Sequence, residues 1–180
     1  PNACNNCHRE DDAAWAADAI KSWGVTQPKG YQQFSGAFHA ATSNAPDANV
    51  QLANIAAGTQ HPAIARAGAL ELLANYPTEM SAFTAGKALN DTDPLVRRAA
   101  IMALQNLPAA QRLTQLAPLL NDPIRTVRME AANALVDAML GATPEQLQAI
   151  NKAAAEYVAA QKFIADTSEG QSALGSFYAR

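Results

Sequence analysis

A repeat with a period of 31 residues constrains the fold of this chain more than any other feature. The same residue types recur at this interval in three sets: Arg66, Arg97 and Arg128; Ala69, Ala100 and Ala131; Leu73, Leu104 and Leu135. A proline precedes each unit and can begin a helix, because the first helical turn does not need the missing N–H. Periods of about 20–50 residues are typical of solenoids. The sequence therefore predicts an all-α fold, an α-solenoid built from helix pairs.

A second helix is predicted after each proline-started helix. The second helices are predicted at residues 77–89 and 108–120, and each is followed closely by an Asn-Asp turn. One first helix begins with Asp93-Pro94-x-Val96-Arg97 and continues with alanines and a leucine at helical spacing. This pattern resembles the first helix of a HEAT or HEAT-like repeat. A more divergent pair is predicted at residues 31–41 and 49–57, which makes about three and a half units.

The repeat makes two specific structural predictions. We expect Leu73, Leu104 and Leu135 to be buried at equivalent positions of helix pairs that stack as a right-handed superhelix. We also expect the three repeated arginines to lie along one edge of the solenoid, near Asp91, Asp93 and Asp122. Arginine has several donors, so each can bind a carboxylate or a loop carbonyl of a neighbouring unit.

Four segments are predicted along the chain. Residues 1–28 hold a cysteine motif and a first helix, and residues 29–140 hold the HEAT-like repeats. Residues 141–166 are predicted to form one long amphipathic helix that opens with a capping box. Residues 167–180 resemble the opening of a tetratricopeptide repeat, through Leu174-Gly175-x-x-Tyr178.

The helix after the cysteine motif is predicted to have one apolar face and to end at Gly24. Trp15 and Trp23 lie on that face. Aromatic residues at helical spacing are usually core residues, so we expect both to pack against the first repeat.

Both cysteines of the chain lie in Cys4-Asn5-Asn6-Cys7-His8, the C-x-x-C-H signature of covalent c-type haem attachment. Two thiols three positions apart can bond to the two vinyl groups of one haem c. The adjoining His8 can bind the iron as the proximal ligand. His39 is a weaker candidate for the distal ligand, because a single histidine beside an apolar helical face is more often a packed or solvent-edge residue.

Other interpretations of the cysteine pair remain open. A thioredoxin-like dithiol needs a βαβ setting that this pattern lacks, while a structural disulfide needs none. A structural zinc site needs four ligands, so Cys4, Cys7 and His8 would require His39 or His61 as well.

Several stretches together resemble a family of exported bacterial multihaem cytochromes. They are Pro1-Asn2-Ala3-Cys4-x-x-Cys7-His8, Ala14-Trp15-Ala16-Ala17-Asp18-Ala19, Arg97-Arg98-Ala99-Ala100 and Ala155-Glu156-Tyr157-x-x-Ala160-Gln161. In this family, haem motifs precede HEAT-like helices and a tetratricopeptide array. The resemblance implies haem c held by Cys4, Cys7 and His8, and a periplasmic or otherwise exported location. Since no signal peptide precedes the motif, we expect this chain to be an excised middle piece of such a cytochrome.

Charge and composition exclude several function classes. The net charge is −3 and no basic run occurs, so neither nucleic acid nor an anionic membrane surface is an expected partner. No apolar run approaches the roughly 20 residues that span a bilayer. No nucleophile–base pair, paired carboxylates or glycine-rich phosphate loop is recognisable, so the chain is not expected to be an enzyme. Two functions compete: an electron-transfer cytochrome whose repeats bind a redox partner protein, and a protein-interaction scaffold without haem.

Overall fold

The computed structural model describes residues 3–24 and 34–180. Within these residues there are ten α-helices and short 3-10 helices, and no strand. The all-α prediction is therefore confirmed. The chain divides into two compact units, residues 1–33 and residues 34–180.

The first unit contains a short 3-10 helix, Ala3–Asn6, and helix α1, Ala13–Ser22. Helix α1 begins where the Asp12 side chain accepts a hydrogen bond from the backbone N–H of Trp15 at 2.8 Å. It ends before Gly24, whose φ of 77° lies in the left-handed region that glycine adopts without strain. The predicted stop at Gly24 is confirmed.

The second unit contains nine helices, all within the described residues 34–180. They are α2 Ser35–Thr42, α3 Ala48–Ala57, α4 Ala63–Leu73, α5 Glu79–Ala88, α6 Pro94–Leu104, α7 Ala109–Leu116, α8 Arg125–Leu135, α9 Pro144–Phe163 and α10 Ser168–Tyr178. Helices α4, α6 and α8 each have 11 residues and begin 31 residues apart. Helices α3 and α5 also begin 31 residues apart. The second helix of the divergent first pair thus keeps the period, whereas α2 has only 8 residues, and residues 31–33 of the predicted first helix lie outside the described residues.

The core of the solenoid runs between successive first helices. Leu73, Leu104 and Leu135 are each exposed by 1% or less, so their predicted burial is confirmed. The three repeated alanines are fully buried beside them. Because alanine has the smallest side chain that still favours a helix, these positions let α4, α6 and α8 pack closely against one another. The direction in which the units coil stays a prediction.

Two prolines change the helix boundaries from those predicted. Helix α7 ends at Leu116, and a 3-10 helix, Ala117–Asn121, continues in its place. Pro118 has no backbone N–H to donate, so it cannot take an α-helical hydrogen bond there. Pro123 does not begin helix α8, which begins at Arg125. The turn before α8 is instead closed by Asp122, whose side chain accepts a hydrogen bond from the N–H of Ile124 at 2.8 Å.

Helices α9 and α10 close the second unit. The capping box of α9 is confirmed, with hydrogen bonds of 2.9 and 3.3 Å exchanged between Thr143 and Gln146. Helix α9 packs on α8, and α10 packs on α9, where the rings of Tyr157 and Phe177 stack at 5.0 Å between centroids. The predicted long helix is therefore confirmed. The tetratricopeptide resemblance of the residues in α10 stays a prediction.

The predicted arginine ladder is present along one edge of the repeats. Arg97 on α6 donates to the Asp122 carboxylate from Nε and Nη2, at 2.7 and 2.9 Å. Its Nη1 donates to the carbonyl oxygens of Asp91 and Thr92, at 2.8 and 3.1 Å. One guanidinium group thus joins the turn before its own helix to the turn before the next first helix.

The same geometry recurs one repeat later. Arg128 donates from Nη1 to the carbonyl oxygens of Asp122 and Pro123, at 2.8 and 3.2 Å. Its Nη2 lies 2.7 Å from the carboxylate of Glu156 on α9. Arg66 also binds the carboxylate of the next turn, that of Asp91, but through Nη1 and Nη2 rather than through Nε and Nη2. The ladder prediction is confirmed, and α9 supplies the carboxylate that ends it.

Candidate cofactor-attachment site

Residues 4–8 form one helical turn. The backbone N–H groups of Cys7 and His8 both donate to the carbonyl oxygen of Cys4, at 3.2 and 2.9 Å. In a helical turn, side chains three and four positions apart lie on the same face. The turn therefore brings the side chains of Cys4, Cys7 and His8 to one side of the chain.

The three side chains are accessible. Cys4 is partly buried, Cys7 is exposed, and both are free thiols. The His8 side chain is 55% exposed. A thiol must be accessible and unpaired to react with an external group, and an imidazole needs an open ring nitrogen to bind a metal. All three side chains meet these conditions, so the residues present fit a covalently attached haem.

Two neighbours orient the His8 ring. Its Nδ1 lies 3.7 Å from a carboxylate oxygen of Asp11, which leaves Nε2 available as a metal ligand. The Trp15 ring lies beside it, with 4.5 Å between ring centroids and planes tilted by 38°. A carboxylate that hydrogen-bonds the second nitrogen of an imidazole fixes the orientation of the ring, and at 3.7 Å Asp11 lies just beyond hydrogen-bond distance.

Asn5 ties this turn to the first residues before α1. Its side-chain amide donates to the carbonyl oxygens of His8 at 3.2 Å and of Asp11 at 2.5 Å. The motif does not predict this role, because Asn5 occupies one of the two positions that the motif leaves open. The cysteine turn and the start of α1 are thus held as one local structure.

The predicted packing of the two tryptophans against the first repeat, which belongs to the other unit, stays a prediction. Trp15 is 38% exposed and lies against His8, and Trp23 is 72% exposed. Helical spacing assigned both residues to one face of α1, but α1 ends at Ser22 and Trp23 follows it. The spacing could not show that His8 lies against Trp15.

The other histidines lie in the second unit. His39 is exposed on α2, with its Nε2 at 3.5 Å from the Ser43 hydroxyl. His61 precedes α4, with its Nε2 at 3.2 Å from the Gln60 amide nitrogen. In residues 3–24 and 34–180, no group of three or more His, Cys, Asp or Glu side chains could hold a metal ion. The zinc interpretation, which also needs His39 or His61, and distal ligation by His39 both stay predictions.

The fold and its ladder define a helical-repeat protein, a class built for binding other proteins. A family model for HEAT repeats matches residues 37–136 and again residues 84–161. The two matches together cover more than half of the chain, which therefore belongs to the HEAT-repeat family. They begin after the cysteine turn, so they do not bear on haem. Comparisons with curated proteins and with solved structures found no match.

No helix in the part of the chain that the structure describes is both long enough and apolar enough to cross a membrane.

Proposed function

We propose that this chain is part of a periplasmic or otherwise exported multihaem c-type cytochrome that transfers electrons to or from a partner protein. Cys4 and Cys7 would hold haem c, and His8 would be its proximal ligand. The observation that carries the proposal is one exposed helical turn with two free thiols and an imidazole at C-x-x-C-H spacing. The resemblance to exported multihaem cytochromes also supports it, and three of its four stretches lie outside the motif.

The chemistry assigned to the cysteines needs no oxidant or reductant. Cys4 and Cys7 would each hold the haem by adding an S–H group across one vinyl double bond, with sulfur bonded to one carbon and the hydrogen to the other. His8 would bind iron through Nε2, with Asp11 beside Nδ1 and Trp15 shielding one side of the ring. Haem c, when bound, supplies reversible one-electron transfer at its iron.

The HEAT-like repeats would hold the haem-bearing segment against its redox partner. Six arginines in the described repeats pair with carboxylates, mostly of neighbouring elements, which favours a rigid scaffold. The residues of α10 would begin a tetratricopeptide-like segment. In this proposal the chain carries electrons and binds proteins and does not itself catalyse a reaction.

A second candidate is a protein-interaction scaffold without haem, with the cysteine pair left as a structural or vestigial feature. The HEAT-repeat match favours this function directly. The two candidates differ only at residues 4–8, so an experiment on that turn separates them.

Optical spectra of the matured chain test the role of His8. Expressed in a periplasm with haem-maturation machinery, the wild-type chain should show the reduced spectrum of a c-type haem. His8→Ala should retain some covalent haem but change this spectrum, because the iron loses its proximal ligand. The circular dichroism of both should remain helical, since the repeat core contains none of these residues.

Two other histidine variants serve as controls. His61→Ala should keep the wild-type spectrum, and His39→Ala should change it only if His39 is the distal ligand. A spectrum unchanged by His8→Ala would contradict the proximal assignment. Cytoplasmically made protein should lack haem and still fold its repeats.

A further inference from the structure

An exposed aromatic residue lies at the centre of the second-helix face of the repeats. Phe83 on α5 is 67% exposed. The amino nitrogen of Lys87, one turn later, lies 5.5 Å from the centroid of the Phe83 ring. Aromatic residues are enriched in protein interfaces, where they fill pockets of the partner surface or border them.

Two grooves meet at this pair. The first, of about 200 Å³, lies between α3 and α5 and extends to Arg66 and Asp91. The second, of about 430 Å³, lies between α5 and α7 and extends to Gln115. Phe83 and Lys87 line both grooves. We call Phe83, Lys87 and the two grooves the Phe83 surface.

Lys87 differs from the other cationic side chains of the repeats. Among residues 34–141, all of which the structure describes, six arginines lie within 4.0 Å of a carboxylate. Lys87 is the only lysine in that range, and no ion pair is found for it among the described residues. In the first groove, Arg66 neutralises Asp91. In the second groove, Lys87 is the only charged residue.

The Phe83 surface therefore has an apolar centre and one unpaired positive charge, on a chain whose net charge is −3. A partner that presents a carboxylate beside an apolar side chain matches both features. A nucleic acid or an anionic membrane does not, because each is bound by several cations at once. We infer that the Phe83 surface is a docking site for a partner-protein segment in which Asp or Glu adjoins an aromatic or aliphatic residue.

The inference does not depend on haem, since the Phe83 surface lies wholly in the second unit. It can be tested on the full chain with labelled short peptides as probes. One pool combines apolar residues with Asp and Glu, a second replaces the acids by Lys and Arg, and a third replaces the apolar residues by Ser. Fluorescence polarisation measures binding of each pool to the chain.

We expect the acidic apolar pool to bind and the other two to bind much more weakly. Phe83→Ala should weaken binding by about tenfold or more, as for an interface hot spot. Lys87→Glu should weaken the acidic pool similarly and improve the basic one, because the sign of the only free charge is reversed.

Matched variants keep the test specific. Ile64→Ala removes another side chain that is 67% exposed, and Lys162→Glu reverses another exposed lysine without an ion pair among the described residues. Both should change binding less than about twofold. The inference is overturned if the acidic apolar pool binds with a dissociation constant above about 1 mM. It is also overturned if Phe83→Ala binds that pool as well as the wild-type chain does, or if the chain forms a dimer that Phe83→Ala dissociates.

Discussion

Replacing Asp122 by alanine is expected to lower the free energy of unfolding by about 3–5 kcal/mol, the usual loss when one partner of a buried ion pair is removed. The Asp122 side chain is 5% exposed and accepts hydrogen bonds from Arg97 and from the N–H of Ile124. Without it, the Arg97 side chain, 11% exposed, loses its carboxylate and keeps only the hydrogen bonds to the carbonyl oxygens of Asp91 and Thr92. Urea unfolding followed by circular dichroism measures the loss.

A partly exposed arginine of the same edge provides the control. The Arg125 side chain is 56% exposed, and its partner Glu156 keeps a second pair with Arg128. Arg125→Ala should therefore cost no more than about 1 kcal/mol. Equal losses for Arg125→Ala and Asp122→Ala would show that the ladder does not hold the units together.

The Asp122 pair also predicts how stability depends on pH. Burial alone would raise the pKa of Asp122, but hydrogen bonds from Arg97 and Ile124 and the charge of Arg97 hold the pKa below its ordinary 3.8. The folded state therefore binds this proton less readily than the unfolded state. The stabilisation is complete above about pH 4 and is lost as the pH falls through the folded pKa. Asp122→Ala should flatten this acid limb.

Leu104→Ala is expected to cost about 2–5 kcal/mol, because it opens a cavity in the middle repeat. Leu104 is 1% exposed on α6, which packs on both α4 and α8. Leu140→Ala is the control, since Leu140 is fully exposed and should change stability by less than about 0.5 kcal/mol. The unfolding midpoints of the two variants give the comparison. Similar midpoints would contradict the assigned repeat core.

The solenoid was predictable because stacked repeats impose the same requirements at every unit. A first helix must bury small and aliphatic residues against two neighbours, so alanine and leucine recur every 31 residues. The turns before α6 and α8 each need an arginine and an aspartate, so these recur as well. The periodicity therefore located α4, α6 and α8, and the ladder between them.

The features that were missed lie where the repeat is broken or where a contact is specific to one place. Glu156 ends the ladder from a helix outside the period, since the residue 31 positions after Asp122 is Ala153. Pro118 is a local exception within a helix that otherwise fits the pattern. Trp15 lies against His8 because of one local turn, and a repeat period can predict only features that recur. The Phe83 surface is formed by second helices, which have few repeated residues.

Covalent attachment of haem to Cys4 and Cys7 is tested most directly by the intact mass of the denatured chain after periplasmic maturation. We predict that the wild-type chain gains the mass of one haem and that the Cys4→Ala, Cys7→Ala double variant gains none. His8→Ala should still gain it in part, because the thiols remain. A matured wild-type chain without added mass would contradict the cytochrome proposal and leave a HEAT-repeat scaffold.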